Sequence, residues 1–228
     1  MKVSVVIPTL NEQEYLPKCI ESLRAQTVSC EIVVADSKSS DGTLEIAEKL
    51  ADVVVREGKK NIAFNRQIGL EASSCDIVVS TDADCIFPND WLERILGRFE
   101  DPRVVAVSGP TIPIPGESNS FDNFCYFTGN IGLWILHKLG VVWFRGSNSG
   151  YRKSAVLDAG GYDVRMHARE DSDLSQRVSR FGVTVFDWDV KVMTSMRRRK
   201  NLGWRKALRY YIDTPISLVS GKQYYEKV

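Results

Sequence analysis

Ile77-Val78-Val79-Ser80-Thr81-Asp82-Ala83-Asp84 is the stretch on which the reading of this chain turns. A short apolar, β-branched run without polar alternation has the character of a strand buried on both faces of a parallel sheet. It ends in two carboxylates one residue apart. Open α/β sheets bind their ligands beyond the carboxyl ends of their strands. A carboxylate pair placed there suits a hard divalent cation, Mg2+ or Mn2+, which takes oxygen ligands and keeps positions for water or substrate phosphates. On its own the pair fits a solvated turn carboxylate and a helix cap as well. Its position, after three strand–helix units, favours the site.

Upstream, Val3-Ser4-Val5-Val6-Ile7 is a first strand of the same buried kind, followed by the loop Pro8-Thr9-Leu10-Asn11-Glu12. Leu16, Cys19, Ile20 and Leu23 recur at helical spacing, with Pro17 in the first turn where a missing N–H costs nothing. Glu31 to Ala35 is a second strand, ended by a loop of capping residues from Asp36 to Thr43. A helix over 44–50, a strand over Val53-Val54-Val55, a helix over 65–72 and the strand 76–80 complete an alternation that predicts a parallel sheet with helices on both faces. Downstream, 91–99 reads as a helix and 104–108 as a strand, and the Pro-rich segment 110–116 breaks the pattern. Residues 121–144 are apolar and aromatic. Residues 151–159 and 171–181 read as helices, and 183–186 as a late strand.

At 228 residues, 43% apolar and 26% charged, the composition is that of a soluble globular protein with one large domain, or one domain and an appendage. The net charge of +1 conceals an asymmetry. Residues 191–228 hold ten Lys/Arg against two Asp/Glu, and the remainder holds twenty against twenty-seven. An acidic body therefore carries a basic segment whose partner should be anionic. The acidic body argues against nucleic acid as that partner. Cys19, Cys30, Cys75, Cys85 and Cys125 show no CxxC spacing and read as buried thiols of a reducing compartment, not as a zinc site. The run Val3 to Ile7 stops at Pro8, too short for a secretory leader, and no stretch reaches the ~20 apolar residues of a membrane span.

The absent motifs narrow the chemistry. No GxGxxG follows the first strand and no GxxxxGK[ST] occurs, so dinucleotide and P-loop sites are unsupported. The two histidines, His137 and His167, give no spacing for a hydrolytic triad. What remains is a set of polar segments at strand ends: 8–12, 35–43, 65–69 and 81–84. Each has an ordinary explanation, with Thr9 and Asn11 as caps, Asp41-Gly42 as a turn and Gly69 as a packing position. In a parallel sheet all four open on one edge, and their coincidence there favours a site.

With these motifs on the page, the chain resembles a family 2 glycosyltransferase of the GT-A fold over roughly residues 3–190. The opening VSVVIPTLNEQEYLPKCIESL, the second strand and loop IVVADSKSSDGT, the Asp-x-Asp of TDAD and the acid pair Glu170-Asp171 in AREDSDLSQR occur in that family's order. The resemblance implies a mostly parallel Rossmann-like sheet flanked by helices. Residues 1–196 would form the catalytic domain, with a nucleotide half (1–109) and an acceptor half (110–196), followed by a basic amphipathic tail (197–228). Pro8, Thr9, Asn11 and Glu12 would line the nucleotide site, Asp36 would hold the base, and Arg66 would lie near the nucleotide. Asp84 would ligate Mn2+ or Mg2+ directly, with Asp82 at the ribose or a metal-bound water. Asp171 would be the catalytic base, with Glu170 beside it. Apart from the resemblance, acids at 170–173 also suit a helix N-terminus.

The departures are specific. Arg66-Gln67 stands for the family's Arg-Asn, and Asp36-Ser37 for its doubled Asp. Val192-Met193-Thr194-Ser195-Met196 lacks the histidine that many members use as a metal ligand. Arg197-Arg198-Arg199-Lys200 follows at once, and one of these, Arg198 foremost, is a candidate clamp for a diphosphate, since guanidinium suits bidentate phosphate contact.

Two segments suggest a lipid surface. Phe124 to Leu136 carries no charge and is rich in aromatics, which also fits a core helix. Over Leu202 to Val219, Trp204, Leu208, Tyr211 and Pro215 share one face beside Arg205, Lys206 and Arg209, a pattern of interfacial helices. The expectation is an inverting, metal-dependent hexosyltransferase, peripheral at the cytoplasmic face of a membrane. It would use GDP-mannose, or next UDP-glucose, and a lipid or lipid-linked acceptor. A sugar-phosphate nucleotidyltransferase would want a Gly-rich basic loop where PTLNEQE stands, and a non-catalytic membrane adaptor would not need all of Asp36, Asp82, Asp84 and Asp171.

Overall fold

The structure, a computed structural model, describes residues 1–56 and 61–197. In chain order its elements are β1 (Val3–Thr9), α1 (Leu16–Arg24), β2 (Glu31–Asp36), α2 (Thr43–Leu50), β3 (Val53–Val55), α3 (Ile62–Ala72), β4 (Ile77–Ser80), β5 (Cys85–Ile86) and α4 (Trp91–Arg98). There follow β6 (Val104–Ser108), β7 (Thr111–Pro113), α5 (Ser120–Lys138), β8 (Ser149–Arg152), α6 (Lys153–Asp158), α7 (Glu170–Val178), β9 (Val183–Phe186) and β10 (Val192–Thr194).

Seven strands form the main sheet in the order β3-β2-β1-β4-β8-β6-β9. The first four are parallel, as the β-branched runs predict. β8 enters antiparallel between β4 and β6, pairing Tyr151 with Val78 on one side and with Ala106 on the other. Strand alternation sorts the apolar runs onto two faces. Val5, Ile7, Ile32, Val34, Ile77 and Val79 pack under α1 and α4 against Leu16, Ile20, Trp91, Ile95 and Phe99. Val6, Val33 and Val78 face the other way with Leu70, Phe144, Tyr151 and Leu174. A fully buried aliphatic side chain contributes about 1.5–3 kcal/mol. That burial holds α1, α2 and α4, none of which has a side-chain hydrogen bond at its N-cap. α3 lies so close to β1 that a Cβ on Gly69 would sit 2.4 Å from Val6 Cγ1. Gly69 is thus a packing position.

A second sheet of three short strands, β5-β10-β7, sits over the end of β4. It clamps the turn that carries the Asp pair, and Ser195 N donates to Asp84 O at 3.0 Å.

One reading of the sequence is corrected. Residues 151–159 are not one helix: 149–152 are strand and only Lys153–Asp158 is helical. Pairing with β4 and β6 together supplies backbone partners that local helix preference cannot match. The segment 65–69, grouped with those at strand ends, lies inside α3, in keeping with the helix expected over 65–72; the Asn61 cap of α3 accepts from Phe64 N at 3.0 Å. The apolar segment 124–136 lies within α5, which a reciprocal Asn119–Asp122 capping box starts. Among the described residues no helix is long and apolar enough to cross a membrane. Arg198 and the amphipathic segment 202–219 lie outside the described residues.

Candidate active site

The carboxyl ends of β1, β2 and β4 open on one edge, and short polar side chains join the loops there. Thr9 Oγ1 donates to Asp36 Oδ1 at 3.1 Å, and Asp36 Oδ2 accepts from Ser39 N at 2.9 Å. Asn11 N donates to Ser39 Oγ at 2.9 Å, Asn11 Oδ1 accepts from Ser40 N at 2.8 Å, and Glu12 N donates to Thr43 Oγ1 at 2.7 Å. Pro8, Thr9 and Asp36 are buried at the floor of this edge, whereas Asn11 is exposed. Asn11, Lys38 and Arg169 are the non-glycine residues with positive φ among those described (56°, 62° and 66°), and all three lie in loops of this edge or at the start of α7. Such backbone conformations persist where surrounding contacts over-determine them, commonly at ligand sites.

Arg66 projects from α3 into the centre. Nη2 donates to Asp82 Oδ1 at 2.6 Å and Nε to Glu170 Oε1 at 3.2 Å, while Nη1 bonds Gly146 O at 2.9 Å and also Ser80 Oγ. Its side chain is 4% exposed. Burial would favour the neutral form, but the Asp82 and Glu170 carboxylates outweigh it and keep the guanidinium firmly charged. Arg66 therefore lies beneath the Asp-x-Asp turn, joining it to the acid pair of α7. A Cβ on Gly146 would come within 2.5 Å of Arg66 Nη2, so the chain there must be glycine for the guanidinium to fit.

Glu170 and Asp171 open α7, where the helix N-terminus favours negative charge. Glu170 is buried. Burial and the neighbouring Asp171 push its carboxyl up, to about 7, against the pull of Arg66. Asp171 is half-buried at the edge, and its two oxygens accept from Gly146 N and Ser172 N, each at 2.7 Å. Two fixed N–H donors hold one carboxylate in a set direction, as a base that must meet a hydroxyl requires.

At the opposite side Arg197, just after β10, reaches Asp84 and Glu12. Nε donates to Asp84 Oδ2 at 3.1 Å, Nη2 bonds Glu12 Oε1, and the guanidinium lies 4.3 Å from the Tyr15 ring centroid. Glu12 Oε2 is buried with no hydrogen-bond partner. Burial and the carboxylates of Asp82 and Asp84 also push the Cys19 and Cys85 thiols up, so these are inert protonated groups under the turn.

A hard cation fits this donor set. Asp84 and the orphaned Glu12 oxygen offer carboxylate ligands, with Asp82 adjacent. Mg2+ and Mn2+ need only one or two carboxylates when substrate phosphates and water complete the sphere. Among the described residues no three His, Cys, Asp or Glu side chains form a closed cage, as that mode of binding does not require one.

Of the residues singled out in the sequence, the structure brings Asp82, Asp84, Glu170, Asp171, Arg66 and Glu12 into one connected cluster, with Thr9 and Asp36 buried beside it and Asn11 exposed at its rim. Ser80 and Gly146 belong to it and were not assigned from sequence, and Arg197, one of the arginines offered there as a diphosphate clamp, belongs to it through Asp84 and Glu12. The stretch Arg145-Gly146-Ser147-Asn148-Ser149-Gly150, polar and glycine-rich between apolar runs, was the available signal for Gly146.

The profile of Glycosyl transferase family 2 matches residues 4–158. The chain is 29% identical over 217 residues to the succinoglycan biosynthesis protein ExoA of Rhizobium meliloti, covering 86% of this chain and 63% of that protein. Its fold is similar to that of TarS from S. aureus in complex with UDP-GlcNAc, at TM-score 0.67 and 18% identity over 86% of this chain and 58% of that one. It is also similar to the mannosyltransferase PcManGT of Pyrobaculum calidifontis in complex with GDP-Man and Mn2+, at TM-score 0.64 and 23% identity over 84% of this chain and 56% of that one. The protein belongs to glycosyltransferase family 2, and its mostly parallel sheet flanked by helices is the GT-A arrangement. The chain spans less than two thirds of the length of each of these relatives.

Proposed function

We propose that this chain is the catalytic part of an inverting, divalent-cation-dependent hexosyltransferase. It would take its sugar from a GDP- or UDP-hexose, GDP-mannose first, and pass it to a lipid or lipid-linked acceptor at the cytoplasmic face of a membrane. The observation that carries the reading is the joining of Asp82 and Glu170 by one buried arginine. It places the Asp-x-Asp turn and the acid pair of α7 on the same edge.

Asp171 accepts the proton of the acceptor hydroxyl as that oxygen bonds to the anomeric carbon. The bond from that carbon to the diphosphate oxygen breaks on the opposite face, so a single displacement inverts the centre. Asp84, with Glu12 or Asp82, would hold Mn2+ or Mg2+, which supplies Lewis-acid stabilisation to the leaving diphosphate. Asp36 and Thr9 form the floor, and Asn11 the rim, against which the nucleoside would pack. Arg66 and Gly146 N fix the directions of the carboxylates. The solved GDP-Man–Mn2+ and UDP-GlcNAc complexes of similar fold support a nucleotide-sugar donor and leave both bases in play.

For the acceptor, α5 presents Phe121, Phe124, Phe127 and Ile135 to solvent, with Leu139 just past its end. A row of exposed aromatics on one helix is unusual for a surface in water and suits a lipid boundary. The basic segment 198–228 adds charge for an anionic surface.

The test is thermal unfolding with GDP, UDP, ADP and their sugars, with and without Mn2+, on wild type and Asp84→Ala. A ligand at ~100 times its dissociation constant adds about 2.7 kcal/mol, a readable shift. A Mn2+-dependent shift with one base, lost in Asp84→Ala, supports the reading; no shift with any nucleotide sinks it. For the membrane, failure to co-sediment with anionic vesicles at low salt would remove the lipid surface from the proposal.

A further inference from the structure

Arg197 stands where the family resemblance leads one to expect a cation held by Asp84. The turn that carries it is clamped. Ser195 Oγ and Met196 N both donate to Glu117 Oε2 at 2.9 Å, and Arg197 N donates to Ser195 Oγ at 3.2 Å. From this fixed base the guanidinium crosses from the loop after β4 to the loop after β1, binding Asp84 and Glu12 together over the Tyr15 ring. It uses the same Asp84 carboxylate that the proposed function assigns to the divalent cation. It also covers one oxygen of Glu12 while leaving the other buried and unpartnered. A guanidinium and a divalent cation cannot both occupy that position, since like charges at contact repel and the oxygens are shared.

The setting also shows how the arginine can leave. Its side chain is 28% exposed, and among the described residues its side-chain hydrogen-bonding partners are two carboxylates and no backbone carbonyl. An incoming diphosphate offers the bidentate oxygen pair for which guanidinium is suited.

We propose that Arg197 is an internal counter-ion that keeps the divalent-cation position closed until a nucleoside diphosphate arrives. The diphosphate draws the guanidinium off Asp84 and Glu12, and the cation enters with the donor instead of before it. Nucleotide and cation are then bound cooperatively, and by linkage each raises the other's affinity by the same factor. This rests on the proposed function only in taking Asp84 as a ligand of the donor-bound cation.

The experiment is a Mn2+ titration of the full chain without nucleotide, followed by loss of the free-ion paramagnetic signal. It compares wild type, Arg197→Gln, Arg197→Lys, and Arg197→Gln combined with Asp84→Asn. Wild type is expected to bind Mn2+ weakly. Arg197→Gln should bind about tenfold tighter or more, and the double variant should lose that gain. Arg197→Lys, which keeps the charge but not the fork, should stay near wild type, so the gain follows the charge and not a packing change. Repeating the titration with GDP or UDP should tighten Mn2+ strongly in wild type and much less in Arg197→Gln. Mn2+ binding no tighter in Arg197→Gln than in wild type, or a gain that survives Asp84→Asn, overturns the proposal. Absence of any nucleotide effect in all variants would instead count against the donor reading, and the Mn2+-only comparison would still decide the role of Arg197.

Discussion

Arg66 and Arg197 each bridge two carboxylates of the same site, yet they are built for opposite uses. Arg66 is enclosed at 4% exposure and bonds a hydroxyl and a backbone carbonyl as well as Asp82 and Glu170. Arg197 is 28% exposed, and its fork holds two carboxylates beside an aromatic ring. The first arginine has no other conformation to go to, because Gly146 and the loop before β8 close around it. The second sits at the rim, partly open to solvent. Similar ion pairs therefore give a fixed brace in one place and a releasable contact in the other. Burial and the number of acceptors, not charge, make the difference.

The comparison is most exposed at Arg66→Gln. Removing Arg66 leaves the buried Glu170 without its counter-ion, and above about pH 7, where Glu170 is ionised, the expected loss is about 3–5 kcal/mol by denaturant unfolding. A loss below about 1 kcal/mol would break the distinction between the two arginines. Gly146→Ala comes next. Its Cβ would press on the Arg66 guanidinium, and overpacking of this kind typically costs about 1–3 kcal/mol. An unchanged midpoint would mean that Arg66 is less confined than its surroundings indicate.

Glu170→Gln sharpens the comparison through pH. The folded-state carboxyl is raised to about 7 from an ordinary 4.5, with burial as the leading cause. Between those values the folded protein binds more protons than the unfolded chain, so this group's contribution to stability falls as pH rises. Glu170→Gln lacks that dependence and should gain on wild type as pH is raised from about 5 to about 7.5. Parallel stability curves for the two proteins would contradict the assignment. The smallest effect is expected at Arg197→Gln, about 1 kcal/mol or less. Mn2+ should restore it, whereas no amount of Mn2+ should restore Arg66→Gln. Recovery of both, or of neither, would erase the contrast.

The first four strands were legible because each is a β-branched run, and their parallel pairing follows from the strand–helix alternation. The Asp-x-Asp turn and the acids at the start of α7 were legible as types of residue at ends of elements. β8 was not, because Ser149–Arg152 becomes a strand only by pairing with β4 and β6, which are 69 and 41 residues earlier in the chain at their paired positions Ser80 and Ser108. The strands β5, β7 and β10 have two or three residues each and leave almost no period to read. Arg66 was legible as a member of the site but not as its brace, since nothing local shows that Ser80, Asp82, Gly146 and Glu170 meet around it. Arg197 was one of four consecutive basic residues, and nothing local shows that Glu117 holds Ser195 and Met196 so that Arg197 meets Asp84 and Glu12.

The late antiparallel strand has a consequence for how the chain is made. β4 is an inner strand of the finished sheet, yet its second neighbour is not synthesised until residue 149. At about 5–20 residues per second, translation leaves the apolar edge of Ile77–Ser80 open for roughly 3–14 s, with only β1 at its other side. An exposed flat edge of Ile and Val is a template for pairing with another chain. During those seconds the nascent protein's vulnerability to aggregation lies at the strand that will later carry the Asp82–Asp84 turn.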